Sequence, residues 1–256
     1  MDRTAWMHRV PWLLLISAAL LLGIGVNAIA RELDIVPSTC LHILRALVTE
    51  GLVGVELETK RYRLDAGVLT LARTALRQDG FAKSAQQELD ALAGRISATV
   101  LGVRVIGLKH MIVVCISRSD ATVRLHVDIG SRFPALISAT GRCLAAFGNH
   151  SESDVNSAFK ALRWDVAPSL KDWRSEIAET RRVGYGVDRS NYIRGVTIVA
   201  APVFGIEGSM SHALAVVALT EQLPAGGAKA VGMELKAAAS RITTRLGGFS
   251  GSAAEF

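Results

Sequence analysis

A polar row recurring every three or four residues through an apolar stretch is the first pattern in this sequence with chemical content. Ser38, Thr39, His42 and Arg45 fall to one side of a predicted helix, away from Cys40, Ile43, Leu44 and Leu47, because positions three and four apart share a helix face. Near a helix N-terminus these side chains suit a reader of DNA base edges. Hydroxyls can bond phosphates or bases, and an arginine fork matches guanine O6 and N7. Lys60, Arg61 and Arg63 follow at the tip and return strand of a predicted hairpin, where cations would lie on phosphates or in a minor groove. Each group has a plain alternative: the helix row as a solvated face, the hairpin as an ordinary turn.

Other chemistries find less support. No Ser-His-Asp order, paired carboxylates or Gly-x-Ser-x-Gly element stands out, so the chain does not read as an enzyme. The three cysteines, Cys40, Cys115 and Cys143, are widely spaced and form no Cys-x-x-Cys pair. That usage fits a reducing compartment with buried thiols and no disulfide frame. The six histidines show no ligand spacing, so neither a metal nor a cofactor is expected. Cys143 stands beside Arg142 as a reactive-thiol candidate, against the simpler reading of a small buried hydrophobe. Gly23-Ile24-Gly25-Val26-Asn27-Ala28 matches a dinucleotide fingerprint. That pattern needs a short strand before it inside a βαβ unit, and the preceding apolar run is too long for one.

The elements that would position these residues follow from periodicity and punctuation. A helix is predicted over residues 12–22, a loop over 23–25 and a short helix over 26–33. Asp34-Ile35-Val36 makes a turn, and Pro37 and Ser38 open the next helix, with Ser38 as its cap. That helix ends before Gly51. Strands at 52–57 and 61–64, joined by Glu58-Thr59-Lys60, form the hairpin, and an apolar helix follows over 67–76. Beyond Gln78-Asp79-Gly80, helices are predicted at 84–98, 138–147, 151–162, 170–183 and 228–246. Strands are predicted at 100–108, 111–117, 123–127, 198–204 and 213–219. Strands grouped with flanking helices, without strict βαβ alternation, argue an α+β fold with an antiparallel sheet. The expected domains are 10–66, 67–80 as a linker helix, and 81–248.

Residues 10–30 carry no formal charge and end in Ala28-Ile29-Ala30, so they also read as a signal peptide or a membrane span. Gly23, Gly25 and Asn27 interrupt that run, leaving a strongly apolar part near 12–22, a length more often seen in buried core helices. The favoured reading is a cytoplasmic chain; the alternative is a membrane-anchored sensor spanning the bilayer with residues 10–30. The net charge of +6 over 256 residues permits an anionic partner without identifying one. It is not concentrated near the proposed reader, since the first 80 residues hold nine basic and eight acidic side chains.

VNAIARELDIVPSTCLHILRALVTEGLV followed by KRYRLDAGVLTLA resembles the DNA-binding half of IclR-type (isocitrate lyase regulator type) transcription regulators. ISATGRCLAAFG resembles that family's signature segment, and RRVGYGVDRSNYIRGVTIVAAPVFGIEG with HALAVVAL its later segment. The resemblance covers about residues 10–247. It implies a winged helix-turn-helix, a linker helix, and a GAF-like sensor domain with an antiparallel sheet. It also implies a double-stranded DNA operator, a small organic acid effector, and a homodimer or homotetramer. Carried over position by position, it places Ala139, Thr140 and Gly141 at the pocket wall, Asp188 at an acidic position, and Ile198, Val217 and Leu219 on strands facing the ligand. The three strand residues are all apolar, which suits an aromatic or longer acid; core packing is the plain alternative for them. For Asp188 a bond to a ligand hydroxyl is favoured, with pairing to Arg189 or Arg194 or protonation as other options. Many relatives carry acidic residues just after that position, where this chain has Arg189, Ser190 and Asn191.

Overall fold

A computed structural model describes residues 23–78, 80–117 and 127–249. The predicted helix at 12–22 and nearly all of the predicted strand at 123–127 lie outside the described residues. The chain divides into two compact units between Gln78 and Asp79.

The first unit opens with β1 (Ile24–Gly25), α1 (Val26–Leu33) and α2 (Pro37–Thr49). Asp34 ends α1 in the left-handed region at φ 54°. Its own N–H and that of Ile35 bond back to the carbonyls of Arg31 and Ala30, so the chain turns sharply without losing its last helical hydrogen bonds. Pro37 starts α2, where its missing N–H costs nothing. The cap position, however, is Val36, and no side chain caps the helix. Ser38 is thus not the cap that the sequence suggests: the proline ahead of it already occupies the first helical position. Ile43 also departs from expectation. It is 49% exposed, while Cys40 and Leu44 are buried with Leu41, Leu47 and Val48 packed beside them.

β2 (Val53–Glu56) and β3 (Arg61–Leu64) make the hairpin. The stretch read as a loop at 23–25 contributes β1, which pairs with β3, so the sheet runs β1-β3-β2. Of the apolar run at 10–30, the described part holds β1 and the first residues of α1 and is not a single helix. Among the described residues no helix is long and apolar enough to cross a membrane. α3 (Gly67–Gln78) completes the unit.

The second unit holds α4 (Gly80–Ile96), β4 (Thr99–Ile106), β5 (His110–Ser117), β6 (Arg132–Pro134), α5 (Ser138–Phe147), α6 (Glu152–Lys160), α7 (Leu170–Val183), β7 (Gly186–Arg189), β8 (Val196–Phe204), β9 (Met210–Leu219) and α8 (Gly227–Arg245). Its six described strands are ordered β6-β5-β4-β9-β8-β7, every neighbouring pair antiparallel, as expected of the α+β class. Side chains alternate across the pleat. One face, with Leu101, Val103, Ala200 and Ala215, packs on Ala139, Leu144 and Trp173 of α5 and α7. The other takes α4, whose Phe81 ring lies against Gly102, and α8. With both faces covered, all nine residues of β8 are buried, which is why that strand reads as a continuous apolar run.

Candidate functional site

In the first unit, α2 turns its buried row to the core and leaves Ser38, Thr39, His42 and Arg45 exposed. Alternation along β3 puts Tyr62 in the core and Arg61 and Arg63 on the exposed side. Lys60 closes the hairpin turn at φ 53°, its N–H donating to the Glu56 carbonyl at 2.8 Å. Among the described residues, Arg45, Lys60, Arg61 and Arg63 pair with no carboxylate. The unit therefore presents a helix row of hydrogen-bonding groups and a wing of uncompensated cations.

In the second unit the predicted sensor residues lie on the first turn of α5, on β7, and on β8 and β9. That helix begins directly after a turn, with Ser138 at φ 58° and no side-chain cap on Ile137. Gly141 is fixed by space: a Cβ there would stand 2.0 Å from the Leu136 carbonyl carbon. Gly186 of β7 is fixed in the same way, since its Cβ would approach the Ala139 carbonyl oxygen to 2.5 Å. The edge strand is thereby pressed onto the first turn of α5. Asp188 pairs in register with Ile198, and Ile198 with Val217. Ala139, Ile198 and Val217 belong to one core cluster, against which Leu219 packs, and Thr140 is buried beside them. Two cavities, of about 270 Å³ by Trp173, Arg174 and Arg181 and about 320 Å³ by Glu176, Tyr185 and Arg189, are lined by none of the seven predicted residues.

The electrostatic centre of this region is a residue the sequence reading passed over. Arg142, in the second turn of α5, is fully buried. Its Nε and Nη2 reach Glu176 Oε2 at 2.7 and 2.6 Å, its Nη1 reaches Asp188 Oδ2 at 3.0 Å, and Nη2 donates to Asn191 Oδ1 at 2.8 Å. Its guanidinium carbon lies 5.9 Å from the centre of the Trp164 ring. Asp188 is buried too, and its Oδ1 accepts the N–H groups of Asn191 and Tyr192 at 2.9 and 3.3 Å. Its cationic partner is Arg142, neither Arg189 nor Arg194. A buried charge must be paired, and here one guanidinium joins α5, α7, β7 and the loop after it. The signal was available in ISATGRCLAAFG, where a single charge stands in a helix of otherwise small and apolar residues with no charged face, and such a helix is buried.

Cys143 is an inert thiol. Burial pushes its pKa up to about 12, against weaker opposing effects of the Gly186 backbone and Arg142. Its Sγ–H donates to the Ala200 carbonyl at 3.2 Å.

Comparison with known proteins agrees with the fold. The family described as "Bacterial transcriptional regulator IclR C-terminal" matches residues 73–244. The chain belongs to the IclR family. As an IclR-family protein it is a transcriptional regulator. It is 25% identical over 217 residues to the DNA-binding transcriptional repressor YiaJ of Escherichia coli, covering 82% of this chain and 76% of that one. To the probable transcriptional regulator SauR of Cupriavidus necator it is 27% identical over 198 residues, covering 75% and 77%. Among solved IclR structures, the regulator from Alicyclobacillus acidocaldarius superposes with a TM-score of 0.77 at 24% identity, over 93% of this chain and 99% of that one. An IclR homologue from Microbacterium hydrocarbonoxydans, complexed with 4-hydroxybenzoate, gives 0.73 at 19% identity, over 94% and 99%.

Proposed function

We propose that this regulator binds a double-stranded operator through its N-terminal domain, and that a small organic acid in its C-terminal domain alters that binding. The domains in this reading are 10–66 for DNA, 67–80 as linker helix and 81–248 for the effector, in a homodimer or homotetramer. Ser38, Thr39, His42 and Arg45 face base edges in the major groove, with Lys60, Arg61 and Arg63 on the phosphates. The acid lies by Ala139, Thr140 and Gly141, its carboxylate at the start of α5, and its body against Ile198, Val217 and Leu219. The observation that carries the sensor reading is the meeting of an uncapped helix start with an apolar strand wall inside one core cluster. Most small-molecule sites combine the same two features, apolar lining and a few fixed polar groups. The 4-hydroxybenzoate complex of the Microbacterium homologue makes that acid the first probe.

Calorimetry with 4-hydroxybenzoate, benzoate and pyruvate on wild type and Thr140→Val tests it. The variant should lose about 0.5–3 kcal/mol of affinity for the acid that binds, from a lost or unpaired hydrogen bond, and should keep its ligand-free DNA affinity. An acid that releases DNA and binds both proteins equally well places the pocket elsewhere. The ligand must bind the DNA-competent and DNA-released arrangements unequally, since equal affinity shifts nothing.

A further inference from the structure

We infer that Arg142 is the positioning residue of the effector site, and that Asp188 serves Arg142 and does not touch the ligand. The inference rests on the organic-acid reading above. An ionised carboxylate offers about four lone-pair directions. Three at Asp188 are taken, by Arg142 Nη1 and by the N–H groups of Asn191 and Tyr192, and its side chain is 1% exposed. A ligand hydroxyl would meet a group already committed to the protein.

What that group holds is the geometry around the start of α5. Arg142 follows Ser138 and Ala139 by four and three residues, so it lies one helical turn below them. Its guanidinium ties that turn to α7 through Glu176, to β7 through Asp188 and to the following loop through Asn191. Asn191 extends the tie. Its Nδ2 donates to the Val166 carbonyl at 3.1 Å, and its own carbonyl accepts the Val166 N–H at 3.0 Å. The segment carrying Trp164 is thus clasped beside the guanidinium. Asp188 stands in register with Ile198, so the same ion pair sets the distance between the helix start and the apolar wall. A fork that satisfies two carboxylates and an amide from fixed directions is specific to arginine; lysine supplies the charge without the geometry.

The test uses Arg142→Lys, Arg142→Gln and Asp188→Asn in the full-length protein, with 4-hydroxybenzoate and benzoate as probes, measured by calorimetry below each variant's melting temperature. Each variant should weaken both acids by the same factor, about ten for Arg142→Gln and Asp188→Asn, the coupling expected within one hydrogen-bonded network, and less for Arg142→Lys. The ratio of the two affinities should stay at its wild-type value. Asp188→Asn selectively weakening 4-hydroxybenzoate would show that Asp188 bonds the ligand hydroxyl and would overturn the inference. Unchanged affinities in the folded variants would reduce Arg142 to a structural part and overturn it as well. Amide hydrogen exchange on the ligand-free proteins separates this from the reading beneath it. The Asn191 and Tyr192 amides and the first turn of α5 should exchange faster in every variant. If neither these acids nor pyruvate binds the wild type, the organic-acid reading falls and exchange decides the positioning role: faster exchange supports it, wild-type exchange ends it. Should Arg142→Gln fail to fold, the lysine and asparagine variants carry the same comparison.

Discussion

Removing the wing cations should flatten the salt dependence of DNA binding by an amount that follows from their number. Lys60, Arg61 and Arg63 are exposed and pair with no carboxylate among the described residues, so each is available to a phosphate. Each phosphate neutralised on duplex DNA contributes about 0.9 to the slope of log affinity against log salt concentration. Between 50 and 200 mM salt, a fourfold change, one lost contact removes a factor of about 3.5 in salt sensitivity, and three remove about 40, per bound subunit. The assay is fluorescence anisotropy on a random-sequence 30-base-pair duplex at four or more salt concentrations, comparing wild type, Lys60→Ala and the triple alanine variant. Random sequence suffices because phosphate contacts carry no base information. A triple variant with the wild-type slope would refute the assignment of this hairpin as a phosphate-binding wing, whatever its absolute affinity.

Arg45→Ala should cost about 1–3 kcal/mol on an operator and much less on random DNA if Arg45 reads a guanine; gel-shift titrations of both duplexes check this, and equal losses would make it a phosphate contact. Gly141→Ala should destabilise the protein by at least about 1–3 kcal/mol, since its Cβ meets the Leu136 backbone and overpacking costs that much where nothing can yield; urea unfolding measures it. The Cys143 thiol, with its pKa pushed up to about 12 by burial, makes stability pH-dependent on the alkaline side. Its contribution is intact below the ordinary thiol pKa near 9 and is lost as pH rises towards 12, by up to about 1.4 kcal/mol per pH unit. Cys143→Ala should remove that component from melting curves taken between pH 8 and 10.5. Glu88 acts in the opposite sense. The Arg241 hydrogen bond holds its carboxyl below the usual range, so it stabilises above the ordinary carboxylate pKa and loses this as pH falls, and Glu88→Gln should blunt acid unfolding.

Elements that announce themselves by period and punctuation were legible. α7 runs from the Ser169 cap, which accepts the Asp172 N–H, to Gly184 at φ 87°, and both its ends follow from residue type alone. α1 and α5 were equally readable. β1, β6 and β7, at two, three and four residues, are too short to show a period, and only pairing with distant strands makes them strands. The two faces of α2 were mostly readable, but Ile43 is apolar and exposed, and periodicity cannot tell which edge of an apolar stripe meets the core. The predicted sensor residues came from resemblance to a family. The lone charge of Arg142 in α5 was visible, but not its role, because its partners Glu176, Asp188 and Asn191 lie 34, 46 and 49 residues away, where sequence neighbours do not reveal them.

The large sheet is built from its middle outwards: β8 has nine residues, all buried, whereas the strands at its two ends are only three and four residues long. An edge strand is a template to which another chain can add, and long, flat, apolar edges invite aggregation. Here the segments with the greatest tendency to associate, β8 and β9, are paired on both sides. Among the described residues, the open backbone at each margin extends for only a few residues, β6 containing Pro134 and β7 ending in Arg189. The domain can therefore carry a largely apolar sheet without offering a neighbouring molecule a long edge to extend.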